Sequence, residues 1–157
     1  MKFFSYSDPD QQVTAIVPPE SLRPLLREFS DDELDSLHAF VAELRFAAGR
    51  PIVARGERNT TLFIVVSGSV RMTCSAADGS ERELDRLSDG EVFGISSFLD
   101  GEASPITVTA LETTELLALR RASFAQLAAW KPVLAIALLE DLAVYASRRL
   151  RRLDIAC

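Results

Sequence analysis

The sequence predicts an α+β, mainly β domain in which an antiparallel β-roll lies between N-terminal helices and one long C-terminal helix. Apolar residues follow a helical spacing before residue 44, alternate with polar residues from 44 to 119, and return to a helical spacing from residue 122. Several short alternating segments without intervening helices are typical of an antiparallel roll or barrel. At 157 residues and 48% hydrophobic content, the chain is long enough for one domain with a substantial core.

The N-terminal region is predicted to be an arm followed by helices. Residues 1–29 combine turn residues with one short helical segment, ESLRPLLREF. Ser30 and Glu33 then have the spacing of a capping box, in which the serine hydroxyl and the glutamate carboxylate each accept a hydrogen bond from the other residue's amide. A second helix follows, and we assign the β-roll domain to residues 30–130.

The β-roll is predicted from the alternating segments and from the turn residues between them. The Asp78-Gly79 pair, between two such segments, is typical of a hairpin turn. Cys74 shares its predicted face with Val70 and Met72, so we interpret it as a buried, inert thiol. The apolar positions of three alternating segments are Leu62, Ile64 and Val66; Val70, Met72 and Cys74; and Ile106, Val108 and Ala110.

Residues 131–157 are assigned to the C-terminal helix. Pro132 suits the first position of a helix, where the missing N–H costs nothing. The apolar stripe of this helix reaches about Leu153, and acidic residues precede the basic run RRLRR, an order that favours the helix dipole. We interpret RRLRR as a solvated helix end, with a contact to an acidic partner as the alternative.

Charge and hydropathy argue against two classes of partner. The net charge of −6 disfavours direct nucleic-acid binding by this chain, because such binding depends on neutralising phosphates with Lys and Arg. No apolar run approaches the roughly 20 residues of a membrane-spanning helix. The first ten residues, MKFFSYSDPD, lack the long apolar region of a signal peptide. We therefore expect a cytoplasmic protein without membrane insertion.

The reactive residues are too few for a catalytic or metal site. With two cysteines and His38 as the single histidine, neither a metal-ligand cluster nor a Ser/His triad can be assembled. The acidic residues are scattered and give no paired-carboxylate site. The sequence therefore predicts no enzyme activity, no catalytic residue, no bound metal and no cofactor.

Several segments resemble the cyclic-nucleotide-binding domain family, in particular the effector domains of catabolite-activator and Fnr-like regulators. These segments are FAAGRPIVARGE, TLFIVVSGSVRM, DRLSDGEVFG, FLDG and ITVTA, and the resemblance extends from about Ser30 to Leu153. It implies a jelly-roll of the double-stranded β-helix type. The glycines that fall where the family uses tight turns are Gly49, Gly56, Gly68, Gly90 and Gly94.

The resemblance implies a phosphate-binding cassette at residues 93–110, but a degenerate one. In the family, a glutamate after Phe-Gly binds the ribose hydroxyl, and an arginine followed by a small residue pairs with the cyclic phosphate. Ile95, Ser104 and Pro105 occupy those positions here. The pocket is therefore either vestigial and filled by its isoleucines or repurposed for a less charged, more apolar effector. The candidate ligand-binding residues are Gly94, Ile95, Ser96, Ser97, Ser104, Pro105 and Ile106.

The resemblance also implies that the C-terminal helix forms a homodimer seam and transmits a signal. The spacing of the apolar residues on this helix allows such a seam. Packing of the same stripe on the chain's own β-roll is the alternative. The candidate dimer residues are Leu139, Leu142, Ala146, Leu150 and Leu153.

Together these features predict a non-enzymatic regulatory or sensor module that does not bind cyclic AMP or cyclic GMP tightly. It would act through a protein partner or a non-standard small-molecule effector. The alternatives are the effector-sensing domain of a Crp/Fnr-type transcription regulator, or a regulatory domain of a transporter or enzyme, with weak cyclic-nucleotide binding. Because the chain ends at Cys157, we expect no DNA-reading helix-turn-helix in it.

Overall fold

The computed structural model describes residues 28–156, with side chains described as far as residue 151. The predicted N-terminal arm and most of the first predicted helix lie outside the described residues, as do Cys157 and the side chain of Leu153. Four helices and eight strands make up the described part. The helices are α1 Asp31–His38, α2 Ile95–Asp100, α3 Arg121–Trp130 and α4 Pro132–Ala156. The strands are β1 Ala42–Phe46, β2 Pro51–Val53, β3 Thr61–Ser67, β4 Val70–Ser75, β5 Glu81–Leu87, β6 Val92–Phe93, β7 Thr107–Ala110 and β8 Thr114–Arg120.

The strands form two four-stranded antiparallel sheets, as the alternating pattern predicts. The first sheet has the order β1-β8-β3-β6 and the second β2-β7-β4-β5. The predicted hairpin joins β4 to β5, where the Ala76 amide donates to the Ser80 carbonyl at 2.7 Å around Asp78-Gly79. The antiparallel β-roll and the long C-terminal helix of the sequence prediction are therefore confirmed.

Two clusters of buried side chains hold these layers together. One lies between the sheets and takes residues from all eight strands, among them Phe63, Phe93 and Val108. The other lies between the first sheet and the helices and includes Leu37, Phe98 and further residues of α3 and α4. Burial of so many apolar side chains on both sides of one sheet is the main source of stability.

The strand β3 is buried on both faces, which differs from the alternation read in its sequence. Leu62 and Ile64 pack against the helices, whereas Phe63 and Val65 pack between the sheets. A strand with covered faces reads as a continuous apolar run, as TLFIVV does. Apolar side chains therefore occupy both faces of β3, and the polar face that an alternating pattern predicts is not found in this strand.

The prediction of a buried thiol at Cys74 is wrong, because this residue is half-buried. It pairs only with Arg82 of β5, since the pairing of β4 with β7 ends at Thr73 and Thr107. The β4 strand thus extends past the end of β7 at Cys74, whereas Val70, which the pattern assigned to the same face, is paired with β7 and buried. Thr73, assigned to the open face, is buried instead.

The helix boundaries follow local signals. Ser30 caps α1 as predicted: its hydroxyl accepts from the Glu33 amide at 3.2 Å, and the Glu33 carboxylate accepts from the Ser30 amide at 3.4 Å. The long helix α4 begins at Pro132, also as predicted. None of the helices in residues 28–156 is long and apolar enough to cross a membrane.

Candidate functional site

A cavity of about 280 Å³ opens between the β-roll and the C-terminal half of α4. We call it the cassette pocket. Its walls come from β2, β4 and β7 on one side, from the β6–α2 connection on another, and from Arg149 and Leu150 of α4. All seven candidate ligand-binding residues line it: Gly94, Ile95, Ser96, Ser97, Ser104, Pro105 and Ile106.

Gly94 sets the path of the chain into the cassette pocket. It has φ of +82° and is the N-cap of α2. A Cβ at this position would lie 2.5 Å from the Thr61 carbonyl oxygen of β3. Only glycine combines this left-handed conformation with so close an approach of two backbones. The turn therefore packs directly against the backbone of the first sheet, and this contact fixes the position at which α2 begins.

Ser104 lies where the resemblance would place an arginine, and its polar groups are engaged within the protein. Its hydroxyl donates to the Ile106 carbonyl at 2.8 Å, and its amide donates to the Glu57 carbonyl at 2.8 Å. Its own carbonyl accepts from the Gly56 amide at 2.7 Å. The hydroxyl proton is therefore committed, and Ser104 cannot donate it to an anion without breaking a local turn.

The two isoleucines of the cassette belong to the walls and do not fill the pocket. Ile95 packs against the cluster beneath the helices, and Ile106 packs against the cluster between the sheets. The volume that remains is several times that of a water molecule and lies close to the lower end of ordinary ligand sites. The pocket is thus small and largely apolar, but open.

Arg149 is a residue of the pocket that sequence reasoning missed. Its Nη2 lies 3.0 Å from Asp85 Oδ2 and 3.6 Å from Met72 Sδ, and its Nη1 lies 3.4 Å from the Val92 carbonyl oxygen. The basic run RRLRR was interpreted as solvated, which is wrong for this member. The helical spacing does contain the signal, because residue 149 follows Leu142 and Tyr145 at seven and four positions and so shares their face.

Two side chains of α4 bind the backbone at the entrance of the cassette. The Tyr145 hydroxyl accepts from the Val92 amide at 2.9 Å, while Arg149 donates to the Val92 carbonyl. β6 lies at the edge of the first sheet, so these backbone groups would otherwise lack strand partners. α4 is thereby joined to the segment that leads directly into Gly94.

The described lining of the pocket carries a single charged side chain, whose acidic partner is not part of that lining. Among the described residues that line it, Arg149 is the one charged side chain, and no carboxylate lies in the walls. Asp85, the acidic partner of Arg149, stands outside on β5 with its side chain 44% exposed. In the described part of the chain, no group of three or more His, Cys, Asp and Glu residues could hold a metal ion. The site therefore offers an apolar surface and one cation.

The structure divides the candidate dimer residues between two faces of α4. Leu142 is 1% exposed and belongs to the cluster beneath the helices, so it is a core residue, and its prediction as a dimer residue is wrong. Leu139 and Ala146 are half-buried, and Leu150 is 61% exposed. The stripe thus has two parts: one face packs on the β-roll, as the alternative interpretation predicts, and another face is exposed in the single chain. The homodimer seam stays a prediction for the exposed face.

Comparison with known proteins agrees with this architecture. Residues 43–129 match the family model described as "Cyclic nucleotide-binding domain". The "Cyclic AMP receptor protein" of Thermus thermophilus is 34% identical over 132 residues, which cover 84% of this chain and 59% of that protein. The "CRP-like cAMP-activated global transcriptional regulator" of Mycobacterium tuberculosis is 28% identical over 127 residues, 79% of this chain and 55% of the regulator.

Solved structures give the same result. The catabolite activator protein of Thermus thermophilus superimposes with a TM-score of 0.75 at 33% identity, covering 85% of this chain and 61% of that one. A cyclic nucleotide-binding domain from Methylobacillus flagellatus superimposes with a TM-score of 0.84 at 19% identity, covering 92% and 85%, and shows the shared fold. The chain spans less than two thirds of the length of these bacterial regulators. The resemblance read from the motifs is confirmed, and the chain belongs to the cyclic nucleotide-binding domain family, of the catabolite-activator and Fnr type.

Proposed function

We propose that this chain is a non-enzymatic regulatory module that does not bind cyclic AMP or cyclic GMP tightly in the usual mode of its family. It acts through protein contacts of α4, with or without a different ligand in the cassette pocket. The observation that supports this proposal is the chemistry of two positions. Ile95 is apolar and packs on the cluster beneath the helices. The short hydroxyl of Ser104 already donates a hydrogen bond to the Ile106 carbonyl.

The two missing side chains would contribute a large part of the binding free energy of a cyclic nucleotide. A hydrogen bond to a charged group contributes roughly 1.5–3 kcal/mol, and each 1.4 kcal/mol is about tenfold in affinity. Loss of both the ribose acceptor and the phosphate cation would therefore weaken binding by about 10² to 10⁴-fold. A ribose hydroxyl placed beside Ile95 would in addition lose its water partners without gaining a protein partner.

The test restores both groups. In the variant Ile95→Glu/Ser104→Arg/Pro105→Ala we expect cyclic AMP affinity to rise at least tenfold in titration calorimetry. A matched control, Leu99→Glu/Ala103→Arg, places the same charges on nearby exposed positions that do not line the pocket. Saturation of the amide chemical shifts of residues 94–97 of the unmodified chain by micromolar cyclic nucleotide would overturn the proposal.

We place the homodimer seam on the open face of α4. Ile136 is 57% exposed and Leu150 61%, and with Ala143 between them they repeat every seven residues. Leu139 and Ala146 follow three residues after the first two of these, which is the spacing of a two-stranded coiled coil. Leu142 takes no part in this seam.

Subunit number by native mass spectrometry tests the seam. The variant Ile136→Glu/Leu150→Glu is expected to be monomeric, because two buried carboxylates per helix would face their copies across the interface. Leu84→Glu changes an exposed leucine of β5 and is the control for altered surface hydropathy. A dimer that survives the double substitution, or that Leu84→Glu also disrupts, would place the interface elsewhere.

A second candidate function is the effector-sensing domain of a transcription regulator. It is favoured by the similarity to a bacterial cyclic AMP receptor protein and a CRP-like transcriptional regulator, and by the portion of their length that this chain does not span. The genomic reading frame beyond codon 157 tests it, since a helix-turn-helix pattern there would support this role. A stop codon there would favour a module that acts by protein contact alone.

A further inference from the structure

The cassette pocket combines an apolar interior with a cation that comes from α4 and not from the cassette. Val53, Met72, Ile106 and Val108 supply apolar walls, and Arg149 is the charged residue among the described lining residues. A guanidinium that is partly buried beside apolar surface is screened less than one in bulk water, and its planar fork matches the geometry of a carboxylate. A ligand for this pocket would therefore carry one negative charge on an apolar body.

Two of the three contacts that Arg149 makes among the described residues are long, and the third is with a partly exposed carboxylate. Its contacts with the Val92 carbonyl and the Met72 sulfur, at 3.4 and 3.6 Å, are long. The short contact is with Asp85, which meets one nitrogen of the guanidinium and is 44% exposed, whereas Arg149 is 22% exposed. A carboxylate inside the pocket could take two parallel N–H donors of the same guanidinium, which is the stronger geometry.

We propose that the cassette pocket binds a small organic carboxylate with an apolar body, and that Arg149 holds the carboxylate in exchange for Asp85. The proposal rests on the proposed function, because it assumes that no cyclic phosphate occupies the cassette in the usual mode. The apolar body lies against the β2, β4 and β7 walls. Asp85 acts as the internal competitor that keeps Arg149 in place when the pocket is empty.

The test compares acids with a neutral analogue. The probes are 2-naphthoate, octanoate and the uncharged 2-naphthamide, followed by chemical shifts of the amides of residues 94–97 and of the Arg149 Nε–H group. We expect saturable shifts with both acids and at least tenfold weaker binding of the amide. Asp85→Asn is expected to raise acid affinity severalfold and to leave amide affinity unchanged, because it removes the competitor alone.

Arg149→Gln is expected to weaken acid binding at least tenfold without altering amide binding. Arg148→Gln, an exposed neighbour on the same helix, is the matched control and should change neither. Thermal unfolding of each variant separates loss of binding from loss of folding, and Asp85→Asn tests the exchange even if Arg149→Gln fails to fold.

Several results would overturn the proposal. One is that neither acid shifts the amide signals up to about 10 mM, in the unmodified chain or in Asp85→Asn. The others are that acid and amide bind with equal affinity, or that acid affinity is unchanged in a folded Arg149→Gln variant. Cyclic AMP is titrated as a further probe in the same experiment. If it binds through Arg149 and more tightly than the acids, the site belongs to a phosphodiester and the carboxylate assignment is wrong. If neither the acids nor cyclic AMP bind, this inference alone is refuted, whereas micromolar binding of cyclic AMP to the unmodified chain refutes the proposed function.

Discussion

Replacement of Gly94 by alanine is the most direct test of how the cassette is held against the first sheet. Two costs add at this position. A non-glycine residue at φ of +82° pays roughly 1–2 kcal/mol for the left-handed conformation. The new methyl group would also lie 2.5 Å from the Thr61 carbonyl oxygen, a backbone atom of the central strand β3. Overpacking of this kind costs about 1–3 kcal/mol, so we expect a total of about 2–5 kcal/mol.

The other end of the same short helix provides the control. Gly101 has φ of +74°, and nothing lies within 4 Å of a Cβ built on it. Gly101→Ala therefore carries the conformational cost without the clash, roughly 1–2 kcal/mol. Urea unfolding followed by circular dichroism measures both variants. Equal destabilisation by the two substitutions would refute the close approach of Gly94 to β3.

Three further predictions concern α4. Leu142→Ala should lower the free energy of unfolding by about 2–5 kcal/mol because it opens a cavity in the core, whereas Leu150→Ala should leave the stability of the monomer nearly unchanged in urea titrations. Tyr145→Phe should cost about 1–3 kcal/mol by leaving the Val92 amide without its acceptor, and should speed exchange of that amide with deuterated solvent. Burial and then two neighbouring carboxylates raise the pKa of Asp141 above its usual 3.8, so the folded chain holds this proton to higher pH than the unfolded chain. Stability from this group therefore falls as pH rises above 3.8, and Asp141→Asn should stabilise the protein at pH 7 but not at pH 3 in the same titrations.

Features encoded by neighbouring residues could be predicted from the sequence. The capping box at Ser30 and the hairpin at Asp78-Gly79 depend on a few consecutive residues and were found as expected. The candidate pocket residues line one cavity, because they lie close together along the chain, at the start of α2 and in the loop that leads into β7. Each of these features is determined mainly by local backbone geometry, which short sequence patterns report well.

Features that depend on what packs against an element could not be predicted in the same way. Leu142 and Leu150 are both apolar positions of one helix, and only the placement of α4 on the β-roll makes one a core residue and the other exposed. Cys74 has the alternation of a buried position, but its strand extends beyond the neighbour that would cover it. The contacts of Arg149 could not be predicted from the sequence, because its acidic and backbone partners lie 64 and 57 residues away along the chain.

The position of the cation bears on how the module could signal. An arginine within the cassette would hold an anion against the β-roll, whereas Arg149 belongs to the same helical turn as Leu150, which is open to a partner. If a ligand replaced Asp85 as the partner of Arg149, the contacts of that helical turn would change directly. Tyr145, one turn earlier, is bound to Val92, the β6 residue that Arg149 also contacts. Occupancy of the pocket and the geometry of the open face of α4 would thus be linked through one side chain. For the homodimer proposed above, a ligand that pairs with Arg149 should therefore alter the dimer dissociation constant of the unmodified chain and leave that of Arg149→Gln unchanged, as measured by analytical ultracentrifugation.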